Sequence, residues 1–257
     1  MNAGRFVLHR LRPPRDRRHD EHGRCSVCGV DGRFRFNSWI LPPDMVRDLG
    51  DAVHAFRRRE SLWCGACGAS LRVRRIADVL VEHYADRAQT LAELVEEDRF
   101  AALRVAEINS IGTAHDVLAR HPRLTYSEYP EEDVTALSYA DTSFDLVLTS
   151  DTLEHVPDWE QALRETRRVL RPGGRHVFTV PVPLPPRQTT SREGLPPQYH
   201  AQASGLLRLL SRAKREDMLA YTDFGLDLVE RMRETGFEAE VHGRQDAAAL
   251  VFCAQAV

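Results

Sequence analysis

The stretch from Thr142 to Val182, TSFDLVLTSDTLEHVPDWEQALRETRRVLRPGGRHVFTVPV, constrains the fold of this chain most, because its hydrophobic period changes twice. Phe144–Thr149 (FDLVLT) is a strand-length, mostly apolar run that ends at the polar pair Ser150-Asp151. From Trp159 to Leu170 the spacing turns helical, with Trp159, Ala162, Leu163, Thr166, Val169 and Leu170 on one stripe. Arg171-Pro172-Gly173-Gly174 stops that helix, since proline cannot continue it and glycine accepts the left-handed cap conformation. Arg175–Val180 then reads as a second strand. Two strands joined through a helix lie parallel in one sheet, because a parallel pair needs a long crossover.

SFDLVLTSDTLEHV followed by LRETRRVLRPGGRHVFTVP closely resembles the second half of class I S-adenosylmethionine-dependent methyltransferases of the type 11 kind, spacing included, over about forty residues. The resemblance implies an α/β fold: a Rossmann-like, doubly wound, mostly parallel sheet of about seven strands. It also implies S-adenosylmethionine as cofactor, and an active site where the first strand of the pair ends.

Upstream, Arg72–Asp86 is amphipathic, with Ile76, Val79, Leu80 and His83 on one stripe, and Leu91–Leu103 is a second helical stretch. Leu103–Ile108 is the expected first strand of the sheet. In the resembled family this strand ends in an acidic residue and a glycine-rich turn, E-x-G-x-G-x-G, whose glycines let the backbone approach the cofactor. Here the corresponding residues are Glu107, Asn109, Ser110 and Gly112. The acid is in place, but only one glycine is kept, in a shifted position, and Asn109 and Ser110 must make the turn. The departure bears on cofactor affinity more than on cofactor identity.

Arg123–Tyr129 reads as the second strand, and Glu128 near its end is the candidate to accept both ribose hydroxyls. The segment Asp133-Val-Thr-Ala-Leu137-Ser-Tyr-Ala-Asp141-Thr-Ser-Phe144-Asp145 is similar to the family's D-A-x-x-L-P-F-x-D-x-S-F-D. By that resemblance Asp133 accepts from the adenine amino group and Val134 offers its amide to the ring. Thr149, Ser150 and Asp151 line the methionine end.

Methyl transfer from a sulfonium depends on in-line positioning more than on acid–base strength. Where an acceptor needs a base, His155 is the titratable group nearest the strand end, and Tyr199 and His200 are comparable candidates. The alternative role for His155 is fixing its loop. Tyr199 and His200 belong to a proline-rich insertion, residues 181–221, that reads as a lid or binding loop carrying specificity. A helix over Gly205–Ala220 is expected within it. Leu226–Thr235 reads as a further helix, and Phe237–His242 with Ala248–Ala254 as a closing antiparallel hairpin.

Four of the five cysteines form two knuckles, Cys25-Ser-Val-Cys28-Gly29 and Cys64-Gly-Ala-Cys67-Gly68. Each pair sets two thiolates on one side of a tight turn, and two pairs make a closed S₄ site for structural zinc, with no open position for catalysis. The 35 residues between Cys28 and Cys64 exceed the usual ribbon gap and must carry structure of their own. Asn37–Leu41 and Arg59–Trp63 read as strands bracketing a helix near Pro43–Arg57. Cys253 lies in the apolar terminal strand and reads as a core thiol.

The 257 residues allow one large domain plus a small module, here a basic, disordered arm (1–24), a zinc ribbon (25–71) and a methyltransferase domain (72–257). A net charge of −3 gives no overall bias toward nucleic acid. No apolar run approaches the roughly 18–20 residues of a membrane span, and no secretory signal is visible, which implies the cytoplasm and no membrane partner. These features favour a small-molecule methyl acceptor, a sugar or a secondary metabolite. An RNA methyltransferase using ribbon residues Arg33, Arg35, Arg57, Arg58 and Arg59 is the first alternative. A non-catalytic scaffolding relative with an eroded cofactor loop is the second. Acceptor atom and oligomeric state are not legible.

Overall fold

In the computed structural model, which describes residues 20–36, 53–182, 188–195, 219–244 and 248–257, the two cysteine knuckles organise the N-terminal part. β1 (Glu21–Arg24) and β2 (Asp31–Phe36) pair antiparallel around the first knuckle. β3 (Leu62–Cys64) pairs with β2 and leads into the second. α1 (Val53–Ser61) precedes β3 directly. Two expectations change here. Glu21–Arg24 is a strand, not arm, because its backbone pairs with Asp31–Phe34. Arg59–Ser61 closes a helix instead of opening a strand, since the straight-chain run Arg57–Glu60 favours helix and only Leu62–Cys64 finds a ladder partner. Residues 1–19, the expected strand Asn37–Leu41 and most of the expected helix near Pro43 lie outside the described residues.

α2 (Leu71–Tyr84) follows, with Ser70 capping its start by accepting from the Val73 amide. The single helix expected over Leu91–Leu103 is two short ones, α3 (Leu91–Leu94) and α4 (Asp98–Ala101). Glu97, between them, turns its carboxylate back onto the amides of Asp86, Arg87 and Ala88, which breaks the helical path.

The remaining elements build the main sheet: β4 (Val105–Ile108), α5 (His115–Leu118), β5 (Leu124–Ser127), β6 (Phe144–Ser150), α6 (Trp159–Val169), β7 (Leu170–Thr179), the short pair β8 (Thr190–Ser191) and β9 (Thr222–Asp223), α7 (Leu228–Glu234), β10 (Phe237–His242) and β11 (Val251–Ala256). Its order is β10-β11-β7-β6-β4-β5. β5, β4, β6 and β7 are parallel, and β11 and β10 run antiparallel. The described sheet is therefore mixed and six-stranded, against about seven expected. Between β5 and β6 the chain makes turns instead of another strand. There Asp133 and Glu132 accept from the amides of Thr135 and Ser138, so side chains take the place of ladder partners.

α6 begins on the Asp158 cap, which accepts from the Gln161 amide, and ends at Val169. The Arg171–Gly174 turn is looped out of β7 opposite a register shift in β6, with Gly173 at φ 80°. Gly174 packs against the Asp145 carbonyl, where a Cβ would lie 3.0 Å from the oxygen.

Period-two alternation divides the core between the two faces of the sheet. Leu146, Leu148, Val177, Val251 and Cys253 face α2, while Val147, Phe178, Phe252 and Ala254 join the cluster containing α6 and α7. The α2-side cluster runs without a break into Cys25, Val27, Phe34 and Leu62. The cysteine module is thus packed onto the sheet's helix layer, and its apolar core is shared. No helix among the described residues is long and apolar enough to cross a membrane.

Candidate functional site

Register brings the carboxyl ends of four parallel strands to one edge: Ile108 pairs with Ser127, and Ser150 with Thr179. An open parallel sheet binds its ligands at this edge.

Two residues after Glu107, Asn109 takes a left-handed conformation at φ 57°. Asparagine tolerates that region better than most residues, which is how this turn forms without the expected glycine. Its amide donates to the Ser127 carbonyl at 2.8 Å and its side chain accepts from the Tyr129 amide at 3.1 Å, tying β4 to β5. Gly112 also has positive φ, 79°, and a Cβ there would lie 3.1 Å from Val73 of α2. Ser110 Oγ accepts from the Gly112 amide at 3.2 Å.

Glu107 is fully buried. One of its oxygens accepts from the Ile111 amide at 2.9 Å, and the other lies 2.7 Å from His115 Nδ1. Burial raises its pKa, and the His115 hydrogen bond partly offsets this. Glu107 shapes the turn from below and does not present a free acceptor at the edge. His115 in turn packs on Tyr126, ring centroids 4.4 Å apart, and Tyr126 donates to Glu128. Sequence reasoning missed His115 and Tyr126; the only available signal was a histidine in the first turn after the loop.

Asp133 is exposed, and Oδ1 accepts from both the amide (2.8 Å) and the hydroxyl (2.7 Å) of Thr135, whereas Val134 is buried. No described contact joins either residue to the Asn109 turn. Asp133→Ala is expected to weaken cofactor binding by about tenfold, the loss of one hydrogen bond to a charged group, with a melting temperature close to wild type. Calorimetric titration checks this, and unchanged affinity removes Asp133 from the site.

At the end of β6 the three expected residues part ways. Thr149 is fully buried and bonds His176 Nε2 at 3.0 Å, because alternation turns it into the α6-side core and away from the edge. His176 is itself buried and pushed down to about 3. Ser150 bonds Thr179 at 2.8 Å and accepts from Arg72. Asp151, at φ 49°, accepts from Arg59 Nη1 at 2.7 Å and from Thr179 at 3.0 Å, with Arg72 Nε at 3.2 Å. Burial alone would raise the Asp151 pKa, but Arg59 and Arg72 together outweigh it and hold the group well below the usual carboxylate range. Glu60 completes the network beside both arginines.

Arg59 therefore works inward, 3% exposed, and Arg58 pairs with Glu21. With Arg33 3.6 Å from Asp20, three of the five ribbon arginines counted toward RNA are thus engaged by carboxylates of the chain itself. Neither Arg59 nor Arg72 was legible as a site residue, because only the fold brings them to Asp151.

His155 lies beyond β6, half-buried, with Nδ1 3.0 Å from the Leu219 carbonyl. The Tyr221 amide donates to the Glu154 carbonyl at 2.7 Å, so this loop anchors the far end of the insertion. A cavity of about 590 Å³ opens alongside, lined by Trp159, Arg192, Leu195, Leu219 and Tyr221 among others. Tyr199, His200 and residues 205–218 of the expected helix lie outside the described residues, and Leu219 and Ala220 are not helical.

The four knuckle cysteines converge, with all four sulfurs within 4.8 Å of one another and none in a disulfide. The Cys25–Cys67 and Cys28–Cys64 separations are both 3.8 Å. Zn–S bonds of about 2.3 Å give a tetrahedron with edges of about 3.8 Å, so the cluster fits zinc. The knuckles are congruent. The Gly29 and Gly68 amides return to the Cys25 and Cys64 carbonyls at 2.8 and 3.0 Å, and both glycines have positive φ, 75° and 76°. The Cys25–Cys67 contact lowers the Cys25 thiol below its ordinary value and raises Cys67.

Residues 99–178 match the family described as methyltransferase domain. Among curated proteins, the ubiquinone/menaquinone biosynthesis C-methyltransferase UbiE of Hahella chejuensis is 50% identical over 141 residues, 54% of this chain and 55% of that protein. Methyltransferase GfsG of Streptomyces halstedii is 51% identical over 43 residues, 17% of this chain and 16% of that protein. The chain thus spans about half of the one and about a sixth of the other. A solved structure of the Burkholderia thailandensis 1,6-didemethyltoxoflavin-N1-methyltransferase covers 88% of this chain and 95% of its own, at 16% identity and a TM-score of 0.42. By these sequence matches, residues 99–178 are similar to a methyltransferase domain.

Proposed function

We propose that this chain transfers a methyl group from S-adenosylmethionine to a small-molecule acceptor, a sugar or a secondary metabolite, and that its four cysteines hold a structural zinc ion. The observation that carries the reading is the turn after β4. It lacks the usual glycines, yet Asn109 adopts the left-handed conformation and Glu107 secures Ile111 and His115, so a closed, small-residue turn stands at the carboxyl edge. The cofactor's chemistry fits what surrounds it. Glu128 offers a carboxylate at the end of β5, and Asp151 with Arg72 offers charges of both signs to a zwitterionic amino-acid end.

S-adenosylmethionine, when bound, supplies an electrophilic methyl group. The chain's own part is to position and enclose. His155 holds the 219–221 segment, and the cavity beside Trp159 is the candidate acceptor pocket. With its Nδ1 proton donated to the Leu219 carbonyl, His155 keeps Nε2 as an acceptor, the nitrogen that would serve as base where one is needed. The small-molecule reading is supported by the named role of UbiE in quinone biosynthesis.

Calorimetric titration with S-adenosylmethionine and S-adenosylhomocysteine tests the proposal. Micromolar binding of both is expected, followed by turnover of small hydroxylated acceptors. No heat from either cofactor would return the chain to a scaffolding role.

A further inference from the structure

Away from the carboxyl edge, α2, β10 and β11 bring together His83, Glu240, His242 and Cys253, whose ligand atoms all lie within 4.8 Å of one another. We propose that these four side chains form a second metal site, distinct from the four-cysteine centre, for a borderline-soft divalent ion of the Zn²⁺ kind. Topology builds it. Glu240 and Cys253 are direct cross-strand partners, His242 lies two residues further on the same face of β10, and α2 packs against β11.

Both imidazoles place Nε2 near one carboxylate oxygen, Glu240 Oε1, at 3.1 Å (His83) and 3.4 Å (His242). Metal–nitrogen bonds of about 2.0–2.1 Å in a tetrahedron give ligand–ligand edges of about 3.3–3.4 Å, so these separations already suit a shared ion. Both Nε2 atoms are buried and neither makes a hydrogen bond. The rings meet edge-on, at 82°, with centroids 5.4 Å apart. A cation bound there would satisfy two bare nitrogens and a carboxylate at once.

On its far side, His242 Nδ1 lies 3.3 Å from Glu82 Oε2. A carboxylate behind a ligating histidine fixes its tautomer and raises its basicity. Two nitrogens, one sulfur and one oxygen suit Zn²⁺ and not Ca²⁺ or Mg²⁺, which take oxygen ligands. Glu240 and Glu82 are 56% and 64% exposed at their side chains, against 16% and 18% for the histidines, which gives the ion a route in. Cys253 is a buried thiol whose proton an incoming ion would have to displace, and Arg175 beside it opposes a dication, so Glu240 is needed for charge balance. A bound ion would clamp the C-terminal end of α2 to the antiparallel edge of the sheet.

The test is metal content per chain after equilibration with Zn²⁺ and desalting, for the wild type, His83→Gln, His242→Gln and Cys64→Ser. Each histidine variant is expected to bind one ion fewer than the wild type and to keep its far-UV circular dichroism. Zinc added to the wild type should raise the melting temperature by roughly 5–10 °C at a hundredfold excess over Kd, and this rise should vanish in both histidine variants. Equal metal content in the wild type and both histidine variants overturns the proposal. Should a histidine variant misfold, exposed Glu240→Gln decides in its place: about a tenfold loss of affinity for the second ion is expected, and unchanged affinity overturns the site. Because the histidine variants leave all four cysteines in place, and Cys64→Ser removes a ligand of the other centre, the two metal assignments fail separately.

Discussion

Cys64→Ser is expected to release the cysteine-bound metal and to lower the melting temperature by on the order of 10 °C or more. Serine cannot replace a thiolate ligand, and the remaining cysteines take up protons once the ion leaves, so nothing then ties the two knuckles together. The loss spreads because the module has no core of its own. Cys25, Val27, Phe34 and Leu62 belong to the same apolar cluster as Ile76, Leu80, Leu148 and Val177, so loosening the knuckles uncovers the α2 side of the sheet. Structural zinc contributes about 10–16 kcal/mol in isolated peptides, and here only the part not supplied by that shared packing should appear. Scanning calorimetry with metal analysis checks the prediction. Full metal content together with an unchanged melting temperature would sink the four-cysteine assignment. A chelator should reproduce the effect in the wild type and weaken cofactor binding as well, since α1 carries Arg59 to Asp151.

Arg59→Met should cost about 3–5 kcal/mol in urea unfolding, because it leaves a largely buried carboxylate short of its main partner. Arg59 is 3% exposed and reaches Asp151 with two nitrogens. Asp151→Asn in the Arg59→Met background should recover part of the loss, since the double variant buries no excess charge. Additive losses would show that the two residues do not act as a pair. The pH dependence has a definite sign. Asp151 titrates lower in the folded than in the unfolded chain, so its ion pairs stabilise fully above the unfolded carboxylate value of about 3.9 and lose that contribution as pH falls toward the folded value. The gap between wild type and Arg59→Met should therefore be flat from pH 5 to 7 and narrow only below about pH 4. The same pair sits beside the proposed methionine end, so Arg59→Met should also weaken S-adenosylmethionine binding.

Legibility followed the range of the interactions. The strand–helix–strand unit at 144–180 was readable to within a residue or two, except that its second strand opens at Leu170 and not Arg175, because apolar period and the proline-glycine stop act locally. Asn109 was readable as a turn-former for the same reason. Thr149 and Glu107 stand in the strands where the motif sets them, with side chains taken up by partners the motif does not name. A strand-end motif does not say which face a side chain takes, nor that Glu107 would be consumed by Ile111 and His115.

What this sequence determines alone is its local chemistry. Two congruent knuckles and one crossover unit recur wherever those residues stand in that order, since each is built from neighbours a few positions apart. The tertiary structure decided which distant charges meet. Arg59 and Asp151 are 92 residues apart in sequence, and His83 meets Glu240 and Cys253 across a still longer separation. No periodicity encodes such pairs. They form because α1 and α2 are packed by their apolar faces onto a sheet whose order differs from the order of the chain, and burial then makes every unmatched charge costly enough to require a partner.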